Sequence, residues 1–165
     1  MKKVRGFTLI ELLVVLSIIA LLTALAVVAF GRAKEKANDS QRLVDLEQTV
    51  NAFAAGYASG AVLCSADGLS TCGIGVSLAE CRLYATTCSG DERDDVTDDY
   101  MALHALRDPL WSEPCTETRR TDCGYAFLTF ENLTDYVIGF STESSAVQGL
   151  PSGRSHSVSQ NGEIR

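Results

Sequence analysis

Hydrophobic positions are spread unevenly along the chain. From Leu12 to Phe30 no residue is charged, and Ser17 and Thr23 are the only polar side chains in the run. At about 1.5 Å per residue the run spans roughly 29 Å, close to a bilayer core of about 30 Å. It predicts a transmembrane helix. Arg32, Lys34, Glu35 and Lys36 follow without a proline, and Leu43, Leu46, Val50, Phe53 and Tyr57 then recur at helical spacing. That pattern puts one apolar stripe on one helix face. Ser59-Gly60 supplies a stop, because glycine adopts the left-handed cap. A single helix from Phe7 to about Ser59 is predicted, apolar all round in its inner half and amphipathic beyond. A coiled coil needs more sustained heptads than the chain has.

The pattern changes after Gly60. Gly124–Phe130 and Tyr136–Thr142 are aromatic-rich runs flanking a polar turn, which reads as an antiparallel hairpin. His156–Ser159 adds a third strand, with Asn161-Gly162 as a late turn. Asp98 or Asp99 is expected to cap a short helix through Met101, Leu103 and Leu106, ended by Pro109. The sheet lies across the helix stripe, so the expected fold class is α+β: a long N-terminal helix packed on a small antiparallel sheet with disulfide-rich loops. The expected divisions are 1–6 as a leader, 7–30 as the transmembrane segment, 31–59 as its amphipathic extension and 60–165 as a globular domain.

Composition sharpens this picture in two ways. The 165 residues carry a formal net charge of −7. That sign argues against nucleic-acid binding, which needs a basic face for phosphates. The 6 cysteines are Cys64, Cys72, Cys81, Cys88, Cys115 and Cys123. They point to an oxidising compartment, in agreement with export of everything beyond the membrane segment. Lys2, Lys3 and Arg5 precede the apolar run, so the positive-inside rule places the N-terminus in the cytoplasm. Six cysteines allow about fifteen pairings; bridging nearest neighbours (64–72, 81–88, 115–123) is the simplest expectation. The spacings do not match a zinc site.

Two alternatives address the N-terminus alone. A secretory signal peptide has an apolar core of about 7–15 residues before a small-residue cleavage site, and Ala24 and Ala26 offer such a site. A plain single-span anchor is the other. Neither explains Glu11, since an acid inside a membrane segment calls for a partner. The structural alternative is that Glu11 sits at headgroup level and is tolerated there.

The string Arg5-Gly6-Phe7-Thr8-Leu9-Ile10-Glu11-Leu12 resembles the signal of type IV prepilins and of type II secretion pseudopilins. The resemblance is specific over about residues 1–55 and architectural beyond. It implies that a prepilin peptidase cuts between Gly6 and Phe7 and methylates the new Phe7 amine. It implies that Glu11 pairs with the N-terminal amine of a neighbouring subunit, and that the fold is pilin-like. Many pilins have a proline where this chain has Val27-Val28; here Gly31 is the only nearby helix weakener.

The resemblance implies a structural subunit of a type IV pilus-like filament and not an enzyme, with no cofactor. Its partners are further copies of itself, the prepilin peptidase, the pilus or secretion assembly machinery and the inner membrane, crossed once. The mature chain would then sit in an extracellular pilus or, as a pseudopilin, in a periplasmic pseudopilus. A reading of another class is a membrane-tethered extracytoplasmic binding module. Asp94, Asp95, Asp98 and Asp99 are calcium candidates by their oxygen ligands, although the run lacks the glycine and glutamate of an EF-hand loop. A solvated acidic loop is the plainer reading.

Overall fold

A computed structural model describes residues 7–65, 67–101, 103, 106–116, 118–147 and 149–165, apart from the side chains of Glu92 and Asp98. The chain forms two compact units, Met1–Glu35 and Lys36–Arg165. Helix α1 (Leu9–Ala58) contributes to both. In the second unit it is followed by β1 (Val62–Ser65), β2 (Cys81–Tyr84), the short helix α2 (Thr97–Tyr100), β3 (Ala126–Asn132), β4 (Asp135–Ser141) and β5 (Ser155–Ser159).

Helix α1 ends as its sequence predicts. Gly60 takes φ +84°. The Ala61 N–H reaches the Gly56 carbonyl at 2.9 Å and the Gly60 N–H reaches that of Tyr57 at 3.0 Å. This pair of bonds is a Schellman cap, satisfying carbonyls the helix would leave open.

The antiparallel sheet β3-β4-β5 alternates sides, as a pleated strand must. Phe127, Tyr136, Ile138 and Phe140 face α1, where they meet Leu46 and Phe53 in the main core. Phe53 stacks on Phe127 at 6.0 Å and meets Tyr136 edge-on at 5.3 Å. Ala126, Leu128 and Val137 face the other way, against Cys115 and Cys123. Gly139 is needed here, because a Cβ would stand 2.9 Å from Leu128 Cγ. The residues after β5 fold back, with Val158 opposite Ile164 around Gly162 at φ +75°.

Several expectations are corrected. Tyr57 is 56% exposed, so it does not close the stripe. The buried face instead runs through Asp39, Arg42, Leu46, Thr49, Phe53 and Gly56. The short helix stops at Tyr100 and does not run to Leu106. Its start is held by Asp95, whose carboxylate accepts the Thr97 N–H at 2.9 Å; the side chain of Asp98 lies outside the described residues.

The sheet β1-β2 was not anticipated, and it decides the disulfides. Cys64 bridges Cys88 and Cys72 bridges Cys81, while Cys115 bridges Cys123. The nearest-neighbour expectation is therefore corrected for four of the cysteines. The cause is the strand pleat. Cys64 lies opposite Thr71 on one edge of β1, so Cys72 lies beside Leu63 and points to the other face. Ser65 lies opposite Cys81, which puts Cys81 on that same face. Cys72 and Cys81 thus meet, and Cys64 is left for Cys88.

Among the described residues the largest fully buried side chain is that of Arg42. Its Nε and Nη2 donate to the two oxygens of Asp108, each at 2.8 Å. Its Nη1 donates to Asp39 at 2.6 Å and to Glu143 at 3.4 Å. Asp39 in turn accepts the backbone N–H groups of Glu143 and Ser144 at 2.8 and 3.0 Å. Asp108 accepts those of Leu110 and Trp111 at 2.9 and 3.0 Å. The Trp111 ring covers the guanidinium at 4.6 Å. Burial disfavours the charge of Arg42, but the bonds to Asp108 and Asp39 outweigh it and hold its pKa above the ordinary guanidinium value. Removing one member of a buried ion network strands the others, at about 3–5 kcal/mol. Arg42→Met is expected to destabilise the globular unit by about that amount, read as a fall in the denaturation midpoint of the detergent-solubilised protein.

His156 carries a second expectation. It is 4% exposed, its Nε2 lies 3.2 Å from the Thr142 hydroxyl, and its buried Nδ1 makes no well-formed hydrogen bond among the described residues. Burial lowers its pKa. Below the unfolded pKa of about 6.5 the unfolded chain then binds more protons than the folded one. Stability is therefore fully present above about pH 6.5 and declines as pH falls towards the lowered folded value. Urea midpoints between pH 7.5 and 5 should fall more steeply in the wild type than in His156→Gln.

Candidate functional site

The chemistry singled out in the sequence lies at the N-terminus. Phe7 and Thr8 precede the helix, and Leu9 opens it. The order Thr8-x-x-Glu11 at a helix start is a capping box, in which two side chains satisfy the first free backbone donors. The geometry bears this out. Glu11 Oε2 accepts the Thr8 N–H at 2.9 Å and the Thr8 hydroxyl at 2.6 Å. The Glu11 N–H lies 3.3 Å from Thr8 Oγ1. In the single chain the Glu11 carboxylate is thus occupied by its own helix start, where the helix dipole favours an anion. The Thr-x-x-Glu pattern was legible in the sequence and its capping role was missed.

Apart from Glu11, the helix surface from Leu9 to Phe30 is hydrocarbon broken only by Ser17 and Thr23. Leu9, Ile10, Leu13, Leu16, Ile19, Leu22, Leu25 and Phe30 are among the exposed apolar residues, at 53–81%. The two polar side chains are satisfied internally: the Ser17 hydroxyl donates to the Val14 carbonyl and that of Thr23 to the Ile19 carbonyl, each at 2.8 Å. A segment in lipid requires that, since no water is there to accept the bonds. Helix α1 is long and apolar enough to cross a membrane, and the apolar part is not buried within the chain.

The other sequence candidates separate. Gly6 lies outside the described residues. The six cysteines form bridges in the globular unit. Asp94 accepts the Ser89 hydroxyl at 2.9 Å and Asp95 serves Thr97, while Asp99 is exposed. Among the described residues no group of three or more His, Cys, Asp or Glu is placed to hold a metal. The clefts of the globular unit include one of about 280 Å³ beside Asp108 and Trp111 and an apolar one of about 300 Å³ between Tyr57 and Phe130. Neither contains the motif residues.

Residues 1–27 match the prokaryotic N-terminal methylation motif. The chain carries the type IV prepilin and pseudopilin signal. No curated protein and no solved structure matches it. The signal implies a prepilin peptidase and filament assembly machinery in general. The signal and the exposed apolar helix together point to a single-pass membrane anchor.

Thr8→Ala removes the cap while leaving the apolar run intact. It is expected to cost the helix start about 0.5–2 kcal/mol. Amide exchange in detergent should quicken at Leu9 to Leu12 and stay unchanged from Leu16 onward.

Proposed function

We propose that this chain is the prepilin of a type IV pilus-like filament. Prepilin peptidase cuts it between Gly6 and Phe7 and methylates the Phe7 amine. The leader faces the cytoplasm and the globular unit is exported across the inner membrane. Copies then leave the membrane and associate through their apolar helices. Repeated head-to-tail contacts that do not close generate such a filament.

The observation that carries this reading is the methylation motif at residues 1–27, joined to an apolar segment left uncovered by its own chain. Such a surface calls for lipid or other helices. Cleavage removes Lys2, Lys3 and Arg5, taking the formal side-chain charge from −7 to −10, and creates an amine at Phe7. In the filament Glu11 exchanges its bond to Thr8 for the amine of a neighbour. Burial of the carboxylate requires that partner. The pairing serves register more than stability, because desolvation offsets much of the attraction.

The same features serve a pseudopilin in a short periplasmic fibre, and location separates the two. Intact mass of protein sheared from the cell surface is the test. A chain beginning at Phe7 is expected, about 14 Da heavier for the methyl group and about 6 Da lighter for its bridges. The same mass in the membrane fraction, with none in the sheared material, selects the pseudopilin. A chain beginning at Met1, or cut near Ala26, sinks both. Glu11→Leu is expected to be cleaved and membrane-bound but to yield few or no filaments, whereas a tethered binding module tolerates the change.

A further inference from the structure

Just past the apolar segment the first basic side chains stand without a partner among the described residues. Arg32 and Lys34 are exposed on α1, and among the described residues neither makes an ion pair or hydrogen bond. Glu35, three residues after Arg32, does not neutralise it. We propose that Arg32 and Lys34 bind the phosphates of anionic lipid headgroups on the far face of the membrane, and that they are the chain's main electrostatic hold there once the leader is gone. The inference rests on the membrane placement proposed above.

Height, direction and charge support it. At 1.5 Å per residue the two Cα atoms lie about 3 and 6 Å beyond Phe30, within the headgroup layer. Two residues on a helix are turned about 200° from each other, so the pair reaches phosphates on opposite sides of the helix. Long basic side chains lay their stems along apolar surface and send the charge to the interface. Phe30, 73% exposed, belongs at the same boundary, where aromatic rings concentrate.

Charge decides the partner. Before processing, Lys2, Lys3 and Arg5 hold the opposite end of the segment. Cleavage removes all three, and the mature chain stands at −10. An anionic surface repels most of such a chain. The basic residues beside the apolar segment are the local exception, and attraction to anionic lipid is about fivefold per basic side chain near the surface.

The test uses the mature full-length protein in vesicles of phosphatidylcholine, alone or mixed with phosphatidylglycerol. Each mixture contains a photoactivatable lipid of matching headgroup, and adducts are mapped by mass spectrometry. The headgroup probe carrying phosphatidylglycerol should label the stretch around Arg32 and Lys34 at least about fivefold more than the phosphatidylcholine probe. Salt should weaken the difference, and Arg32→Gln with Lys34→Gln should abolish it. Equal labelling by both headgroups, or an unchanged preference in the double variant, overturns the inference. So does carbodiimide coupling of Lys34 to a carboxylate of a second copy without headgroup preference, which assigns the pair to a protein partner. An acyl-chain probe labels residues 7–30 in every arm if the segment is in the membrane. Loss of that labelling overturns the membrane placement along with the inference; labelling without headgroup preference overturns the inference alone.

Discussion

The globular unit is organised around one buried guanidinium. Arg42 sits on the helix face that the core covers, and three carboxylates converge on it, Asp39 from the preceding helical turn and Asp108 and Glu143 from distant parts of the chain. Asp108 brings the segment leading to Trp111, and Glu143 the segment that follows β4. Without that charge the loops would present buried acids to one another. With it, Asp39 and Asp108 use their remaining lone pairs to fix four backbone N–H groups. A loop-rich unit thereby gains defined positions for segments with little regular structure. The energy gain of such a network over an apolar cluster is small, since desolvation offsets attraction. Its effect is to select one arrangement of the loops over others.

The two stretches of α1 meet different demands with the same backbone. In the globular unit the helix places Leu46 and Phe53 against the sheet. From Leu12 to Phe30 it presents hydrocarbon in every direction and closes its hydroxyls on its own carbonyls, and it starts with a capping box. Each feature there leaves fewer free hydrogen-bonding groups, which is what a low-dielectric surrounding selects. Glu11 fits the same rule: in the single chain its carboxylate is held by the backbone N–H and hydroxyl of Thr8.

Much of this was legible in the sequence because periodicity and composition are local properties. The apolar run, the amphipathic stretch, the glycine cap at Gly60, the hairpin of β3 and β4 and the third strand all follow from short windows. The missed features depend on distance. Arg42 was invisible as a core residue because a charged position is read as solvent-facing, and its partners Asp108 and Glu143 lie 66 and 101 residues away. The stripe was therefore misplaced towards Tyr57. β1 and β2 are four residues each, too short for an alternation signal, so the facing of their cysteines could not be read either. At the N-terminus the motif residues were legible individually, and only the bond between Thr8 and Glu11 was overlooked.

The bridges Cys64–Cys88 and Cys72–Cys81 are nested, one loop inside the other, with separations of 24 and 9. Closing a short loop costs less chain entropy than closing a long one. In an unfolded chain Cys64 therefore meets Cys72 more readily than it meets Cys88. A chain oxidised before β1 and β2 align is drawn towards bridges the finished fold does not contain. Leaving them requires a free thiolate to attack the wrong bond. The order of events during folding thus matters to this protein: strand pairing must precede oxidation, or a thiol–disulfide exchange catalyst must follow it.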